Sequence, residues 1–171
     1  GFETFRYFEE TKMEISAPKA LAEIRTWLDS LDERPFFLFL HTFDVHSDYR
    51  PGPEQRALFT RPYAGPLDGK TAQIRQIRNG RYRPTDEDIR HLSDLYDGAI
   101  RRFDDSLGEL LAELSRRGLA EQTHVIVTSD HGEEFFDHGS VLHGRTLYEE
   151  MIRVPLIVRG PGVAAGRRVA P

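Results

Sequence analysis

The chain has 171 residues, a net charge of −5 at pH 7 and no cysteine. That length suits one domain with a real core; the acidic balance speaks against nucleic acid or an anionic membrane as partner, and the missing thiols exclude disulfides and thiolate metal sites. No apolar run reaches about 18 residues, so no membrane span is expected, and no basic, then apolar leader opens the chain.

Ser16-Ala-Pro-Lys reads as a helix start, with Ser16 as N-cap and Pro18 tolerated in the first turn. Leu21, Ile24, Trp27, Leu28 and Leu31 follow at three- and four-residue spacing, one apolar face, and Pro35 ends the helix. Phe36 to His41 is a continuous apolar run of strand length, the pattern of a central parallel strand. Residues 47 to 84, rich in Pro, Gly and Arg, read as a long irregular excursion. Thr85, with Asp88 three residues on, begins a capping box. A sustained stripe from Ile89 through Leu95, Phe103 and Leu110 to Leu114 predicts a long helix, with Gly118 as its C′ residue. His124 to Ser129 reads as a second strand, Arg145 to Met151 as a short helix, and Val154 to Val158 as a third strand stopped by Gly160-Pro161-Gly162. Helices alternating with strands imply an α/β fold with a largely parallel sheet flanked by helices.

The chemistry concentrates where strands end. Val125-Ile-Val-Thr-Ser-Asp-His-Gly132 carries a buried-strand pattern into an acid and an imidazole, and ligands of open α/β sheets bind outside the carboxyl ends of the strands. Asp130 and His131 can ligate a divalent cation, while Gly132 lets the backbone approach an anion closely. The bland alternative is an Asp capping the next turn beside a satisfied His. His138-Gly and His143-Gly follow in a loop with Glu133, Glu134 and Asp137; an imidazole there can bind anion oxygens or donate a proton to a leaving group, and His143 is the stronger candidate. Asp44-Val-His46, at the tip of the first strand, offers a His pre-organised by an Asp. Its alternative is an Asx-turn, and Asp48 extends the group to a minor candidate for a second metal site. Arg75, Arg78, Arg81 and Arg83 suit an anion clamp but fit a solvated surface better. If both strands point the same way, His41 to His46 and Asp130-His131 share one rim.

Taken together, Ser129-Asp-His-Gly132, Asp137-His-Gly139, His143-Gly, Leu147-Tyr-Glu-Glu150 and Arg153-Val-Pro-Leu-Ile157 resemble the sulfatase family of the alkaline-phosphatase-like superfamily. Thr42-Phe-Asp-Val-His-Ser-Asp-Tyr49 resembles that family's Asp-Pro-His-x-Pro-Tyr segment, with Val45 and Asp48 where prolines are usual. Tyr96-Asp-Gly-Ala-Ile100 through Gly118, and even Gly1-Phe2-Glu3-Thr4-Phe5, fit the same pattern. The resemblance implies metal-dependent hydrolysis of sulfate esters. Asp130 would be a metal ligand, with His131 on the same metal or beside it. His46 and His143, with Asp44 nearby, would contact the sulfate; His143 lies near the family's usual active-site Lys and would assist the leaving group. The metal would be a divalent cation, most often Ca²⁺ in this family, with Zn²⁺ or Mn²⁺ favoured if His131 ligates directly. Arg153 would hold the fold.

The family's nucleophile is a formylglycine made from Cys or Ser in Cys/Ser-x-Pro-x-Arg. This chain has no Cys, and Ser16-Ala-Pro-Lys-Ala20 has Ala20 where Arg is required. Residues 1–171 are therefore expected to be the central part of a single sulfatase-like α/β domain, truncated at both ends, with the nucleophile outside and little activity of its own. Missing neighbours should leave apolar sheet surface open to association. The partner would be a small sulfated or phosphorylated substrate. A phosphodiesterase, phosphonate hydrolase or phosphoethanolamine transferase of the same superfamily remains open, as does a non-catalytic binding domain. The compartment is open as well; exported relatives make an extracytoplasmic site one option.

Overall fold

The longest helix organises the molecule. The computed structural model describes residues 1–7 and 16–169, and in it α4 spans Asp86–Arg116, roughly 46 Å at 1.5 Å per residue. Its ends form as the sequence predicts. Thr85 accepts from the Asp88 N–H while the Asp88 carboxylate accepts from the Thr85 N–H. At the other end Gly118 takes φ +72°, and the Leu119 and Gly118 N–H groups close back on the Leu114 and Ser115 carbonyls, a Schellman turn that satisfies two orphan carbonyls.

Two apolar clusters sit on the two halves of α4. Toward its C-terminal half, α1 (Ser16–Asp29) packs Ala20, Leu21, Ile24 and Leu28 against Leu110 and Leu114. The side chain of Ser16, the expected N-cap, lies outside the described residues. Toward the N-terminal half of α4, Leu92 and Leu95 meet Tyr49, Leu67, Ile74, Ile77, Val141 and Leu142. The excursion over 47–84 is not wholly irregular, since it holds α2 (Pro53–Phe59) and α3 (Thr71–Arg78). Neither has a stripe long enough to read in sequence: α2 buries nothing, and α3 buries only Ile74 and Ile77.

The strands are short. β1 (Val125–Thr128) pairs with β4 (Leu156–Arg159), and β2 (Glu134–Phe135) with β3 (Val141–Leu142). The α/β class holds, but both ladders among the described residues are antiparallel, which corrects the expectation of a largely parallel sheet. A parallel return needs a crossover long enough to regain the starting edge. The link from β1 to β4 instead carries the β2–β3 hairpin and the single-turn helix α5 (Glu149–Ile152), and brings the chain back in the opposite sense. α5 is shorter than the helix expected over 145–151, because Gly144 has positive φ and Tyr148 is extended.

Phe36 to His41 is likewise corrected: it has no ladder partner among the described residues. Its burial alternates. Phe36, Leu38 and Leu40 pack on the α1–α4 cluster, while Phe37 and Phe39 are exposed. Only one face of the segment has a core to meet. Ile126, Leu156, Ile157 and Val158 are also exposed, so the β1–β4 ladder carries uncovered apolar surface. No helix among the described residues is long and apolar enough to cross a membrane.

Candidate active site

Three segments distant in sequence bring three histidines together. His46 lies in the turn after the 36–41 segment, His131 follows β1, and His143 follows β3. One ring nitrogen from each lies within 4.8 Å of the others. The His131 and His143 rings stack at 4.0 Å, and His46 meets them edge-on at 6.3 and 4.9 Å. All three are half-buried.

Their hydrogen bonds fix which nitrogen faces the site. His46 Nδ1 lies 2.7 Å from the Ser47 carbonyl and His131 Nδ1 lies 2.7 Å from the Gly132 carbonyl. A carbonyl only accepts, so each Nδ1 carries the proton and donates it. His143 Nδ1 donates to Glu133 Oε1 at 3.0 Å. In the neutral ring the lone pair then sits on Nε2 in all three, the state a metal or an acidic proton requires.

Local chemistry places these side chains. Leu142 takes φ +67° and Phe136 φ +71°, left-handed values that non-glycine residues hold only when their surroundings dictate them. Within that hairpin the buried Glu134 carboxylate accepts from the His138 and Ser140 N–H groups at 3.1 and 2.8 Å, which ties the turn ahead of His143. Glu133 Oε2 accepts from the buried Tyr49 hydroxyl at 2.8 Å. Burial first, then the Glu133 carboxylate, pushes the Tyr49 phenol far above its usual range, so it remains a donor.

The remaining predicted residues separate. Asp130 is exposed; its carboxylate lies 3.9 Å from His131 Nε2 and borders a cleft of about 90 Å³ with His41, His46, Ser129 and Glu133. Asp44 accepts from the Ala17 N–H at 3.0 Å through Oδ2, satisfying an orphan donor at the start of α1. Asp48 accepts from the Thr71 N–H and hydroxyl and pairs with Arg50, so it anchors α3. Burial raises its pKa, but these partners outweigh that and hold it below the usual carboxylate value. His138 stacks on Tyr148 at 3.6 Å and bonds Glu150 at 2.6 Å, apart from the triad. None of Arg75, Arg78, Arg81 or Arg83 borders the cleft. Gly132 is needed for packing: a Cβ there would stand 1.9 Å from the Glu150 carbonyl oxygen, and its N–H donates to the Met151 carbonyl. Glu133 and Tyr49 escaped the sequence reading as partners of His143, because the second of these contacts joins residues 84 positions apart.

Comparison with known proteins identifies the family. The sulfatase family profile matches residues 3–171, and the chain belongs to the sulfatase family. It is similar to the multifunctional alkaline phosphatase superfamily protein PehA of Trinickia caryophylli, 31% identical over 160 residues, which is 80% of this chain and 31% of that protein. Bovine (Bos taurus) arylsulfatase K is 35% identical over 86 residues, half of this chain and 16% of the relative. Among solved structures, the phosphonate monoester hydrolase of Agrobacterium radiobacter superposes with a TM-score of 0.66 at 26% identity, over 85% of this chain and 33% of that one. The chain thus spans about a third of the proteins it matches over most of its length.

Proposed function

We propose that the chain supplies the metal-site and anion-binding half of a metal-dependent hydrolase of sulfate esters, with the nucleophile contributed from outside these 171 residues. The observation that carries the reading is the convergence of His46, His131 and His143, each with Nδ1–H committed elsewhere and Nε2 available. Such nitrogens can take a cation, or when protonated can hold the oxygens of a tetrahedral anion.

In this reading Asp130 and His131 hold a divalent cation. The donors fit one: an exposed carboxylate stands beside an imidazole whose other nitrogen is already fixed. Bound there, the cation would supply Lewis-acid stabilisation of charge on the ester oxygens. Ca²⁺ prefers six to eight oxygens, whereas imidazole suits Zn²⁺ or Mn²⁺; the His131 nitrogen beside Asp130 favours the latter pair. His46 and His143, when also protonated at Nε2, hold the substrate's oxygens, and the His143 imidazolium gives its Nε2 proton to the leaving alkoxide, which departs as the alcohol, and returns to the neutral Nδ1–H ring. The half-buried setting strengthens these contacts relative to open water.

One observation favours a second reading. One superposing structure is a phosphonate monoester hydrolase, and an ester of phosphorus in place of sulfur leaves these residue roles unchanged. Peptide mass spectrometry of the full-length protein, followed by turnover of sulfate and phosphonate monoesters with and without chelator, tests both. A formylglycine with chelator-sensitive sulfate turnover supports the first reading. An unmodified Thr or Ser with activity only on phosphorus esters replaces it with the second. No turnover of either class, with a monomeric and folded protein, leaves a binding domain.

A further inference from the structure

We infer that Glu133, anchored by Tyr49, is a positioning residue that locks His143 in its Nδ1–H tautomer with Nε2 turned into the site. The inference deepens the reading of His143 as a site residue and rests on it.

The three histidines are held in different ways. His46 and His131 each donate to the carbonyl of the next residue or their immediate neighbour, a contact internal to the turn. His143 has no such carbonyl among its hydrogen bonds; its Nδ1 meets a carboxylate from ten residues earlier. That carboxylate is 5% exposed. Burying it is costly unless hydrogen bonds compensate, and its two oxygens are each assigned one donor: His143 Nδ1–H on Oε1 and Tyr49 O–H on Oε2. Tyr49 cannot yield easily. It is 1% exposed and packs against Tyr96 at 5.5 Å and Phe135 at 5.6 Å. A packed ring therefore fixes a hydroxyl, the hydroxyl fixes a carboxylate, and the carboxylate fixes an imidazole.

Two consequences follow for the site. A carboxylate behind an imidazole sets its tautomer and strengthens the opposite nitrogen as a ligand or acceptor more than a neutral carbonyl does. Tyr49 also lies on the segment that carries His46, so the same network ties together the loops bearing His46 and His143, whose rings sit 4.9 Å apart.

The test reads the ring itself. The chain is labelled with ¹⁵N-histidine, and ring nitrogen–proton correlations are recorded for the native sequence and for Glu133→Ala, Glu133→Gln and Tyr49→Phe, with His143→Gln used for assignment. The expected native result is a single Nδ1–H tautomer for His143 with a downfield, slowly exchanging proton. Glu133→Gln should keep the tautomer and move that proton upfield, Tyr49→Phe should move it less, and Glu133→Ala should give mixed tautomers and lose the proton to exchange. His46 and His131 should stay as they are in all variants. A native His143 with mixed tautomers or with Nε2–H overturns the inference, as does an unmoved proton in Glu133→Gln. Joint loss of all three ring signals in Tyr49→Phe makes the network merely structural and also overturns it. If Glu133→Ala does not fold, the Gln variant decides alone. A chain that turns over no ester still shows its tautomer, so this result stands apart from the failure of the proposed function.

Discussion

The two halves of α4 face regions held together by different physics. Toward its C-terminus, the buried contact between α1 and α4 is aliphatic, Leu21, Ile24 and Leu28 against Leu110 and Leu114, and the charged bonds from Arg25 to Glu109 and from Arg117 to Asp29 lie at its exposed rim. Toward its N-terminus the apolar cluster is threaded with buried polar groups, namely Tyr49, Asp88, His91, Asp94 and Glu134. The first region is non-directional, so hydrophobic side chains of similar volume can substitute for one another. The second depends on directed bonds, each of which leaves a costly orphan if one partner is removed. The candidate site stands on the second.

The sharpest way to break the comparison is at the site itself. In the full-length protein, His143→Ala should lower ester turnover by about 10²- to 10⁴-fold and, by orphaning the buried Glu133 Oε1, cost about 1–3 kcal/mol of stability; turnover that falls only in proportion to the folded fraction would make His143 a structural residue. On the aliphatic side, Leu114→Ala should cost about 2–5 kcal/mol in denaturant unfolding and leave the ring tautomers of His46 and His131 untouched. Asp88→Ala should cost about 2 kcal/mol, since it removes the capping box and strands the Tyr63 and Tyr82 hydroxyls. Its acid dependence carries a sign. Burial raises the Asp88 pKa, but the bonds from Thr85, Tyr63 and Tyr82 outweigh burial and hold it below the usual value. Its contribution is therefore complete above the unfolded value, near pH 3.8, and is lost as pH falls through the lower folded value. Acid unfolding of the native chain should steepen there, and that of the variant should not.

The smallest expected effect runs the other way. His91 is 4% exposed and stacks on Tyr63 at 3.9 Å, with neither ring nitrogen hydrogen-bonded. Burial, then the charge on Arg56, lowers its pKa against the pull of Asp94, Asp88 and Glu87. The unfolded chain then binds the proton first, so stability is full above about pH 6.5 and declines as pH falls from there toward the folded value. His91→Phe keeps the ring, removes the unpaired nitrogens and should gain about 1 kcal/mol, with the gain larger at pH 5.5 than at pH 8 in thermal melts. A loss of stability at both values would show that the imidazole has a partner, such as ordered water.

What could be read from the sequence follows the same division. The α1 stripe, the Thr85–Asp88 box, Gly118 and the positions of β1 and β4 rest on signals within a few residues, and they are where periodicity and capping rules put them. Strand direction was not readable, because it depends on what the 129–155 link does in space. α2 and α3 were hidden by short stripes and a Pro- and Gly-rich composition. In the site, His46, His131 and His143 were legible from type and motif. The bond from the Ala17 N–H to Asp44 at 3.0 Å was not, since it joins residues 27 positions apart. Nothing near Glu133 in the chain announces Tyr49.

Gly132 changes what its motif can be taken to mean. The backbone there passes so close to the Glu150 carbonyl that no side chain fits, and that demand comes from seating α5 against the end of β1. That demand holds whatever the site does, although Gly132 also borders the cleft. A relative without the proposed activity would still keep this glycine in order to fold, while the exposed Asp130 would be free to drift. Of the four letters in Ser-Asp-His-Gly, the last therefore records architecture, and a search keyed on it will gather silent relatives along with working ones.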